Sequence, residues 1–391
     1  MYVLECNEKY AKKLPISSIS NRFSSVVQSD KKNIIIVKEQ FDDPTFRYRG
    51  YNMVQTMENN QKYNLNYFLV EELELLYDIL DNIDLVIIQR ALWSFELENF
   101  INVLKSNQIK VIYDVDDLIY NVKYVPKYMN SVGDCSNAFM NNLFAIVVRY
   151  ELVANLCDAY IVTTDNLKVN VENDLNKPVW VFHNYLNLEQ EEVSQKVVDL
   201  KKETYVNERF IIGYFSGSNS HKRDLEIIES DLIRLMNKYE DIYLNIVGYM
   251  NLSSDLEKLK KQGRIIISKF IPYEELQYEI GKVDLNIIPL QKHAFNECKS
   301  ELKYFEASIV NTLTLATDNS IYKNCINEGV DGFLVDEMSW FEKMEYIYLN
   351  YDKLNHVVVN ARIKCLKEYG SIEQEKDLEK MYDEIFDTLI N

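Results

Sequence analysis

The chain has 391 residues, which is too long for one ordinary domain and suits two. Ten Gly and six Pro are too few for a collagen-like or linker-rich protein, and 47% hydrophobic residues can fill two cores. The formal net charge of −18 argues against nucleic-acid binding, because phosphate neutralisation needs clustered cations. It also argues against attraction to anionic lipid by net charge, although a local basic patch and peripheral membrane attachment stay open.

The cysteines and histidines are scattered along the chain. No two cysteines are spaced as C-x-x-C, and the four histidines contain no HExxH, so no zinc or other metal site is predicted. We expect reduced thiols in a cytoplasmic protein. The N-terminus shows no secretory signal, and no apolar run is long enough to span a membrane.

Short β-branched runs alternate with amphipathic stretches in the first half of the chain. Helical periodicity predicts helices at 69–81 and 95–106. Continuous apolar runs separated by helices indicate a parallel sheet covered on both faces, so we predict a doubly wound α/β domain. Its predicted strands are 33–38, 84–88, 109–113, 159–163 and 178–182.

A second series of strands begins near residue 210, after the highly charged segment 188–208. We place the domain boundary in that segment and predict an N-terminal domain of residues 1–190 and a C-terminal domain of residues 191–391. A helix is predicted at 223–239, and the helical stretch 340–391 could pack back on the first domain. The predicted strands are 209–215, 242–247, 264–268, 283–288, 312–316 and 333–335.

Two such domains in tandem leave a cleft between the carboxyl ends of their sheets, where open α/β sheets bind ligands. The first C-domain strand runs into a polar loop with small residues and cations, which suits a diphosphate but equally suits a capped loop. No Walker or GxGxxG spacing occurs in it. The residues concerned are Gly217, Ser218, His221, Lys222 and Arg223.

A second constellation follows the strand at 283–288. A helix is expected to begin at about Lys299-Ser300, with Glu306 on the same helix face as Lys299. A cation for phosphate and a carboxylate for ribose hydroxyls suit a nucleotide, whereas the plain alternative is a solvated helix face.

Two further groups follow first-domain strands. Asp114, Asp116 and Asp117 could bind metal, act as a base, hydrogen-bond a polyol or cap a helix. Arg47 and Arg49 suit a phosphate or an acidic acceptor, with ordinary surface charge as the alternative.

Taken together and in order, these segments resemble the GT-B glycosyltransferases, specifically the family-4-like bacterial group (glycosyl transferases group 1) that uses nucleotide-sugars in surface-polysaccharide assembly. The resemblance spans residues 45–340. It is carried by FRYRGYN, IYDVDDLIY, CDAYIVTT, KPVWVFHNYLN, IIGYFSGSNSHKRDLE, LNIVGY, FIPYEELQYEIGKVDLNIIPL, KSELKYFEA and GVDGFLV.

The resemblance implies a role for each site residue. The C-terminal domain would hold the nucleotide-diphosphate sugar, a co-substrate rather than a cofactor, and the N-terminal domain a glycan or lipid-linked acceptor. Donor contacts would come from Gly217, Ser218, His221, Lys222, Phe270, Ile271, Lys299, Ser300 and Glu306. The acceptor side would carry Arg47, Arg49, His183 and Asn184, and the catalytic groups would be Asp116, Asp117, Lys222 and Lys299.

The sequence departs from the family pattern at one carboxylate. Many retaining members carry Glu, seven residues, then Glu, but here Cys298 precedes Glu306 at that spacing. The resemblance implies metal-independent transfer with retention. A non-catalytic GT-B-like protein that binds a glycan or a partner transferase remains the alternative, as does a module of a larger enzyme.

Overall fold

In this computed structural model, residues 4, 14–41, 43–132, 136–204, 208–217, 222–248, 250, 252–268, 271–336 and 338–390 are described. Two six-stranded sheets, in which every pairing is parallel, form the framework. The first sheet has the order β2-β1-β3-β4-β5-β6, with β1 (Lys32–Lys38), β2 (Tyr63–Leu69), β3 (Leu85–Gln89), β4 (Lys110–Val115), β5 (Ala159–Val162) and β6 (Val179–Val181). The second has the order β12-β11-β10-β7-β8-β9, with β7 (Phe210–Ser216), β8 (Ile242–Gly248), β9 (Ile265–Ser268), β10 (Leu285–Ile288), β11 (Leu313–Thr317) and β12 (Phe333–Val335).

The helices lie between the strands and at the C-terminus, as parallel connections require. In the first half they are α1 (Ile19–Gln28), α2 (Pro44–Phe46), α3 (Asn52–Thr56), α4 (Leu73–Leu76), α5 (Phe95–Ser106), α6 (Val125–Val132), α7 (Asn137–Leu156), α8 (Asp165–Leu175) and α9 (Leu188–Thr204). In the second half they are α10 (Lys222–Glu226), α11 (Glu229–Lys238), α12 (Ser254–Lys261), α13 (Tyr273–Lys282), α14 (Leu302–Ser308), α15 (Ser320–Cys325), α16 (Trp340–Asn350), α17 (Asn355–Tyr369) and α18 (Ser371–Leu389). A π-helical turn, Arg47–Tyr51, joins α2 to α3, and short 3₁₀ turns occupy Val70–Glu72, Tyr77–Asn82, Val122–Tyr124, Asn296–Cys298 and Tyr351–Lys353.

The predicted doubly wound architecture is confirmed, with differences in detail. The strand β2 was missed, because polar Asn64 and Asn66 interrupt its apolar run at the edge of the sheet. The helix predicted at 223–239 is two helices, α10 and α11, broken at Ile227-Ile228. The helix predicted at 69–81 is one short α-helix flanked by 3₁₀ turns.

The charged segment after β6 is the helix α9, which packs on the second sheet's side of the molecule. Its Lys201 is buried, and its ammonium donates to the carbonyls of Val310 at 3.0 Å and Asn311 at 2.6 Å. Burial lowers the pKa of Lys201 to about 7. The domain boundary at 190/191 remains a prediction.

The last helix, α18, returns to the first half of the chain. Asp383 on α18 binds Tyr63 and Lys62, and Phe386 stacks on the Tyr63 ring at 5.6 Å. One hydrophobic cluster accordingly contains side chains from both sheets and from α18, whereas two others lie within one half each, apart from the loop residues discussed below. This shared core fixes the carboxyl ends of the two sheets opposite each other.

Candidate active site

The carboxylates that follow β4 form the first face of the cleft. Asp116 pairs with Arg90 at 2.9 Å and accepts a hydrogen bond from Thr45 Oγ1 at 3.1 Å. Burial acts to raise the pKa of Asp116, but the charges of Arg90 and Lys38 outweigh it, so the pKa is lowered. This carboxylate is therefore held ionised.

Asp117 lies in a different electrostatic setting from its neighbour. Its Oδ1 atom is 4.0 Å from Nζ of Lys299, which belongs to the opposite half of the chain. Burial raises the pKa of Asp117; the Lys299 charge opposes the rise and the Asp116 charge adds to it. Two of the predicted catalytic groups, Asp117 and Lys299, thus approach each other across the cleft.

The two arginines near the first sheet do not behave alike. Arg49 is fully buried, donates to both oxygens of Asp114 at 2.6–3.2 Å and donates to the Phe182 carbonyl at 2.5 Å. The acceptor-side role predicted for Arg49 does not fit this geometry, because the guanidinium is occupied inside the domain. Arg47 instead lies over the Tyr273 ring at 3.5 Å and pairs with Glu274 at 3.4 Å.

The second face of the cleft is built around the start of α14. The helix begins at Leu302, three residues later than the Lys299-Ser300 start that the sequence predicted, because Lys299 follows the 3₁₀ turn Asn296–Cys298 in extended backbone, with ψ 159°. Lys299 caps that turn, with its side chain 15% exposed and its ammonium 4.8 Å from the Phe295 ring centre. Its neighbour Ser300 accepts a hydrogen bond from Asn184 of the first half at 3.1 Å.

The second residue of α14 is a cation that the sequence reasoning missed. Lys303 is half-buried, and its ammonium makes no hydrogen bond or ion pair with any described residue. Burial lowers the pKa of Lys303 to about 8, with Asp224 opposing the fall and Lys299 adding to it. The signal was present in the sequence, because Lys303 follows Lys299 by four residues and precedes Glu306 by three.

Glu306 lies next along the same helix, where it meets a side chain from the other domain. Tyr48 donates to Glu306 at 2.6 Å, and its hydroxyl is also 2.6 Å from that of Tyr273. Burial raises the pKa of Glu306 to about 7, although the Tyr48 hydrogen bond and the charges of Lys303 and Arg47 oppose the rise. The segment Arg47-Tyr48 therefore reaches the carboxylate expected to hold a ribose.

The predicted junction residues do lie between the two halves. His183 is 3.4 Å from Glu301, and this pairing outweighs the effect of burial, so the pKa of His183 is raised. Asn184 is buried, with its bond to Ser300 described above. These contacts anchor the loop before α14 to the end of β6.

Cys298 faces the first domain. It is 1% exposed and belongs to the hydrophobic cluster of the first sheet together with Phe295, whose ring meets Tyr128 edge-on at 5.0 Å. Its carbonyl accepts from Thr164 at 3.2 Å, and the Glu297 carbonyl accepts from Asn166 at 2.7 Å. Cys298, which the sequence resemblance aligned with a family Glu, is thus buried in a largely apolar contact between the halves, where Asn170 Nδ2 donates to its sulfur at 3.5 Å.

Part of the predicted donor site lies outside the described residues. This applies to Ser218, His221 and Phe270; for Lys222, only its place as the first residue of α10 is described. Gly217 is exposed at the end of β7, with no protein atom within 4 Å of an added Cβ. Ile271 is partly buried against the shared core.

Backbone geometry brings two strand ends close together at this edge. Gly248 ends β8 at φ +124°, and a Cβ there would meet the Ser216 carbonyl oxygen at 2.0 Å, so only glycine fits. In the first sheet, Arg90 adopts φ 43° and its amide donates to the Asp114 carbonyl at 3.1 Å. Such strain in a non-glycine residue is common at functional sites.

No group of three or more His, Cys, Asp or Glu side chains suited to a metal occurs within the part of the chain that the structure describes. Over the same residues, no helix is long and apolar enough to cross a membrane.

No protein-family profile and no curated protein matches this chain. Solved structures do match over nearly its whole length. A glycosyltransferase from Rickettsia africae gives a TM-score of 0.62 at 15% identity, covering 92% of this chain and 99% of that one. Sucrose-phosphate synthase from Thermosynechococcus elongatus gives 0.60 at 12% identity, covering 92% and 100%. HepE from Anabaena, solved in complex with UDP, gives 0.59 at 10% identity, covering 90% and 100%.

These likenesses establish the fold. The chain has the GT-B fold, two Rossmann-like domains whose strand ends face each other, as the sequence resemblance predicted. At such low identities the activity has to be argued from the site itself.

Proposed function

We propose that this chain is a glycosyltransferase that moves a sugar from a nucleotide-diphosphate sugar to a hydroxyl of a glycan or lipid-linked acceptor. The pathway we propose is bacterial cell-surface polysaccharide or glycoconjugate synthesis, in the cytoplasm or at the inner face of the membrane. HepE, a protein of the same fold, has been solved in complex with UDP and with UDP-glucose, which supports a nucleotide-sugar donor.

The observation that carries the proposal is the cation pair at the start of α14. Lys299 lies three residues before α14, Lys303 is the second residue of the helix and Glu306 follows on it, and the charges of Lys299 and Glu306 both act on Lys303. An anionic diphosphate suits the cations, and ribose hydroxyls suit the carboxylate. The predicted contact from Lys222 is added to this set as part of the proposal.

The chemistry follows from charge development. As the bond between the anomeric carbon and the diphosphate oxygen breaks, the electron pair leaves with the diphosphate, whose charge the two lysines stabilise. The acceptor oxygen forms the new bond to the anomeric carbon. Contacts between the halves, such as Asp117 with Lys299, exclude water and so limit hydrolysis of the donor.

Metal independence is part of the proposal. The carboxylates after β4 already face protein cations: Asp114 pairs with Arg49, Asp116 with Arg90, and Asp117 approaches Lys299. We expect turnover to survive excess EDTA. Loss of turnover in EDTA, restored by Mg²⁺, would contradict this.

Retention of anomeric configuration is also proposed, from the family resemblance. In front-face transfer the departing diphosphate oxygen takes the acceptor proton, and Asp117 orients the acceptor hydroxyl. Proton NMR of the first product formed gives the configuration. An inverted product would instead assign the proton to Asp117 as general base.

The decisive experiment combines nucleotide binding with turnover. Isothermal titration with UDP, GDP and dTDP should find one that binds, and Lys299→Ala should lower turnover at least about tenfold by removing transition-state charge stabilisation. Lys292→Ala is the matched control, since Lys292 is exposed on the loop that precedes α14. Full activity of Lys299→Ala would remove the phosphate role.

A second candidate rests on Cys298. Because that position is apolar and buried in an interdomain contact, a non-catalytic subunit that binds a glycan or a partner transferase is the alternative. A folded protein that binds none of the three nucleotides would favour it.

A further inference from the structure

A cavity of about 830 Å³ lies on the side of the molecule where the chain crosses between its halves. It is bounded by the ends of β5 and β6, by Glu301 before α14, by α15 and by the C-terminal helices. Of its lining residues, Thr164, Asn166, Phe182, His183 and Glu301 were described above as contacts around the site, and the others were not. Its size is within the range of small-molecule sites in proteins.

The cavity adjoins the transfer site through a short stretch of chain. Glu301 in its wall is two residues after Lys299 and pairs with His183 at 3.4 Å. Tyr369, also in the wall, stacks on Phe305 of α14 at 4.7 Å between ring centres. A ligand held here would therefore contact the loop that carries Lys299.

The charge of the lining argues against a phosphate or a uronate. Five carboxylates and two lysines line the cavity. Within the described part of the chain, the carboxylates of Asp377 and Glu384 on α18 and of Asp165 make no hydrogen bond or ion pair. An anion would face repulsion from them, so the donor nucleotide belongs on the cation side of α14 and not here.

The lining offers unused donors as well as acceptors. The indole N–H of Trp180 and the hydroxyl of Tyr369 form no hydrogen bond with described residues, and both are large aromatic surfaces with one polar edge. A polyamine could satisfy the carboxylates but has no acceptor for these donors. A sugar has hydroxyls that both donate and accept, and C–H faces that pack on aromatic rings.

We propose that this cavity binds the saccharide part of the acceptor, a neutral sugar or short neutral glycan. Its identification as the acceptor rests on the proposed transferase function, whereas binding of the sugar can be tested without it. Helix α18 therefore has two roles: Asp383 and Phe386 contact the first half, and a different face, with Asp377 and Glu384, would contribute to acceptor recognition.

The test is ligand-observed saturation-transfer NMR and titration calorimetry on the full chain. The probes are glucose, galactose, rhamnose, N-acetylglucosamine and lactose, with glucuronate as the anionic comparison. We expect at least one neutral sugar to bind in the millimolar range and glucuronate to bind at least about tenfold more weakly. Binding of none of the neutral sugars, or equal binding of glucuronate, would overturn the proposal.

Variants locate the bound sugar. Trp180→Ala should weaken its binding at least about tenfold, while Trp180→Phe keeps most of it, because the ring surface remains. UDP affinity should be unchanged in both. Lys299→Ala should show the reverse, losing UDP affinity and keeping the sugar. If sugar binding is the same in Trp180→Ala as in the wild type, the cavity is not the site.

A charge reversal tests selectivity without touching a buried residue. Asp377→Lys, at an exposed position in the lining, should raise glucuronate affinity about threefold or more. Glu373→Lys, exposed on the same helix but outside the lining, is the matched control and should leave it unchanged. Equal gains in both variants would contradict a local effect. Absence of UDP binding together with normal sugar binding would refute the donor site alone.

Discussion

The two faces of the cleft handle charge in opposite ways. On the first-domain face, Asp114 and Asp116 are each paired with an arginine from the same domain. On the second-domain face, Lys303 makes no hydrogen bond or ion pair with a described residue and lies 5.5 Å from the Tyr214 ring centre, and Lys299 approaches the carboxylate of Asp117 across the cleft at 4.0 Å.

This difference indicates which face is suited to bind an anion. A domain that neutralises its own charges internally keeps its shape without a ligand, whereas a half-buried unpaired lysine pays a desolvation cost that a bound anion offsets. Under the proposed function, the first face would lie beside the acceptor, and the second would be the side on which diphosphate binding changes the electrostatics.

The largest expected effect comes from removing the buried Arg49–Asp114 ion pair on the first-domain face. Arg49→Met leaves the Asp114 carboxylate buried and unpaired, so the free energy of unfolding should fall by about 3–5 kcal/mol. Arg47→Met, from the same turn, removes a less deeply buried pair and a contact with the Tyr273 ring, and should cost about 1–2 kcal/mol, less than Arg49→Met. Urea unfolding measures both. Equal losses would mean that the two arginines are alike, against the structure.

A second test asks whether the missing family carboxylate can be restored. Cys298→Glu buries a carboxyl group in an apolar contact, so we expect unfolding to become easier by at least about 2 kcal/mol and turnover not to rise. The cost should increase as the pH rises, because burial favours the neutral acid. Cys298→Ala is the control for lost volume. Increased turnover with unchanged stability would show that position 298 reaches the donor.

The unpaired cation of the second face is tested by nucleotide affinity. Lys303→Met should lower the affinity for UDP, or for whichever nucleotide binds, about tenfold to a hundredfold. Lys292→Met, at an exposed position, should leave that affinity unchanged. The direction in which nucleotide affinity changes with pH follows from the pKa of Lys303. The free protein loses the Lys303 charge as the pH rises through about 8, and bound phosphate raises that pKa, so affinity should fall between pH 7 and pH 9. Titration calorimetry should find that part of the fall absent in Lys303→Met; an identical pH profile would exclude Lys303 from the site.

The smallest effect concerns the contact that joins the two faces. Tyr48→Phe removes the hydrogen bond to Glu306 and should cost about 1 kcal/mol of unfolding free energy. Glu306 has a pKa raised to about 7, so its neutral form favours folding at low pH and that contribution is lost as the pH rises through 7. The Tyr48 hydrogen bond favours the ionised form, so the variant should lose more stability at pH 8 than at pH 6. Denaturant unfolding of both proteins at pH 6 and pH 8 measures this difference. A loss of stability that is the same at both pH values would contradict the coupling between Tyr48 and the ionisation of Glu306.

The sequence by itself determined the architecture, because a buried parallel strand must be an apolar run and its crossover must be an amphipathic stretch. It also placed Asp117 after a strand and Lys299 in the loop before the helix that carries Glu306, although that helix begins later than predicted. The edge strand β2 was not predicted from the sequence, because a strand at the edge of a sheet does not need a continuous apolar run.

Only the tertiary structure decided what each charged group faces. Arg47 and Arg49 are two residues apart in one turn, yet one bridges to the second domain and the other is buried against Asp114, 65 residues away along the chain. Local sequence fixes the type and spacing of side chains. Desolvation and the available partners decide which charged groups are neutralised within the protein and which stay unpaired. Those partners come only from the packing of distant segments.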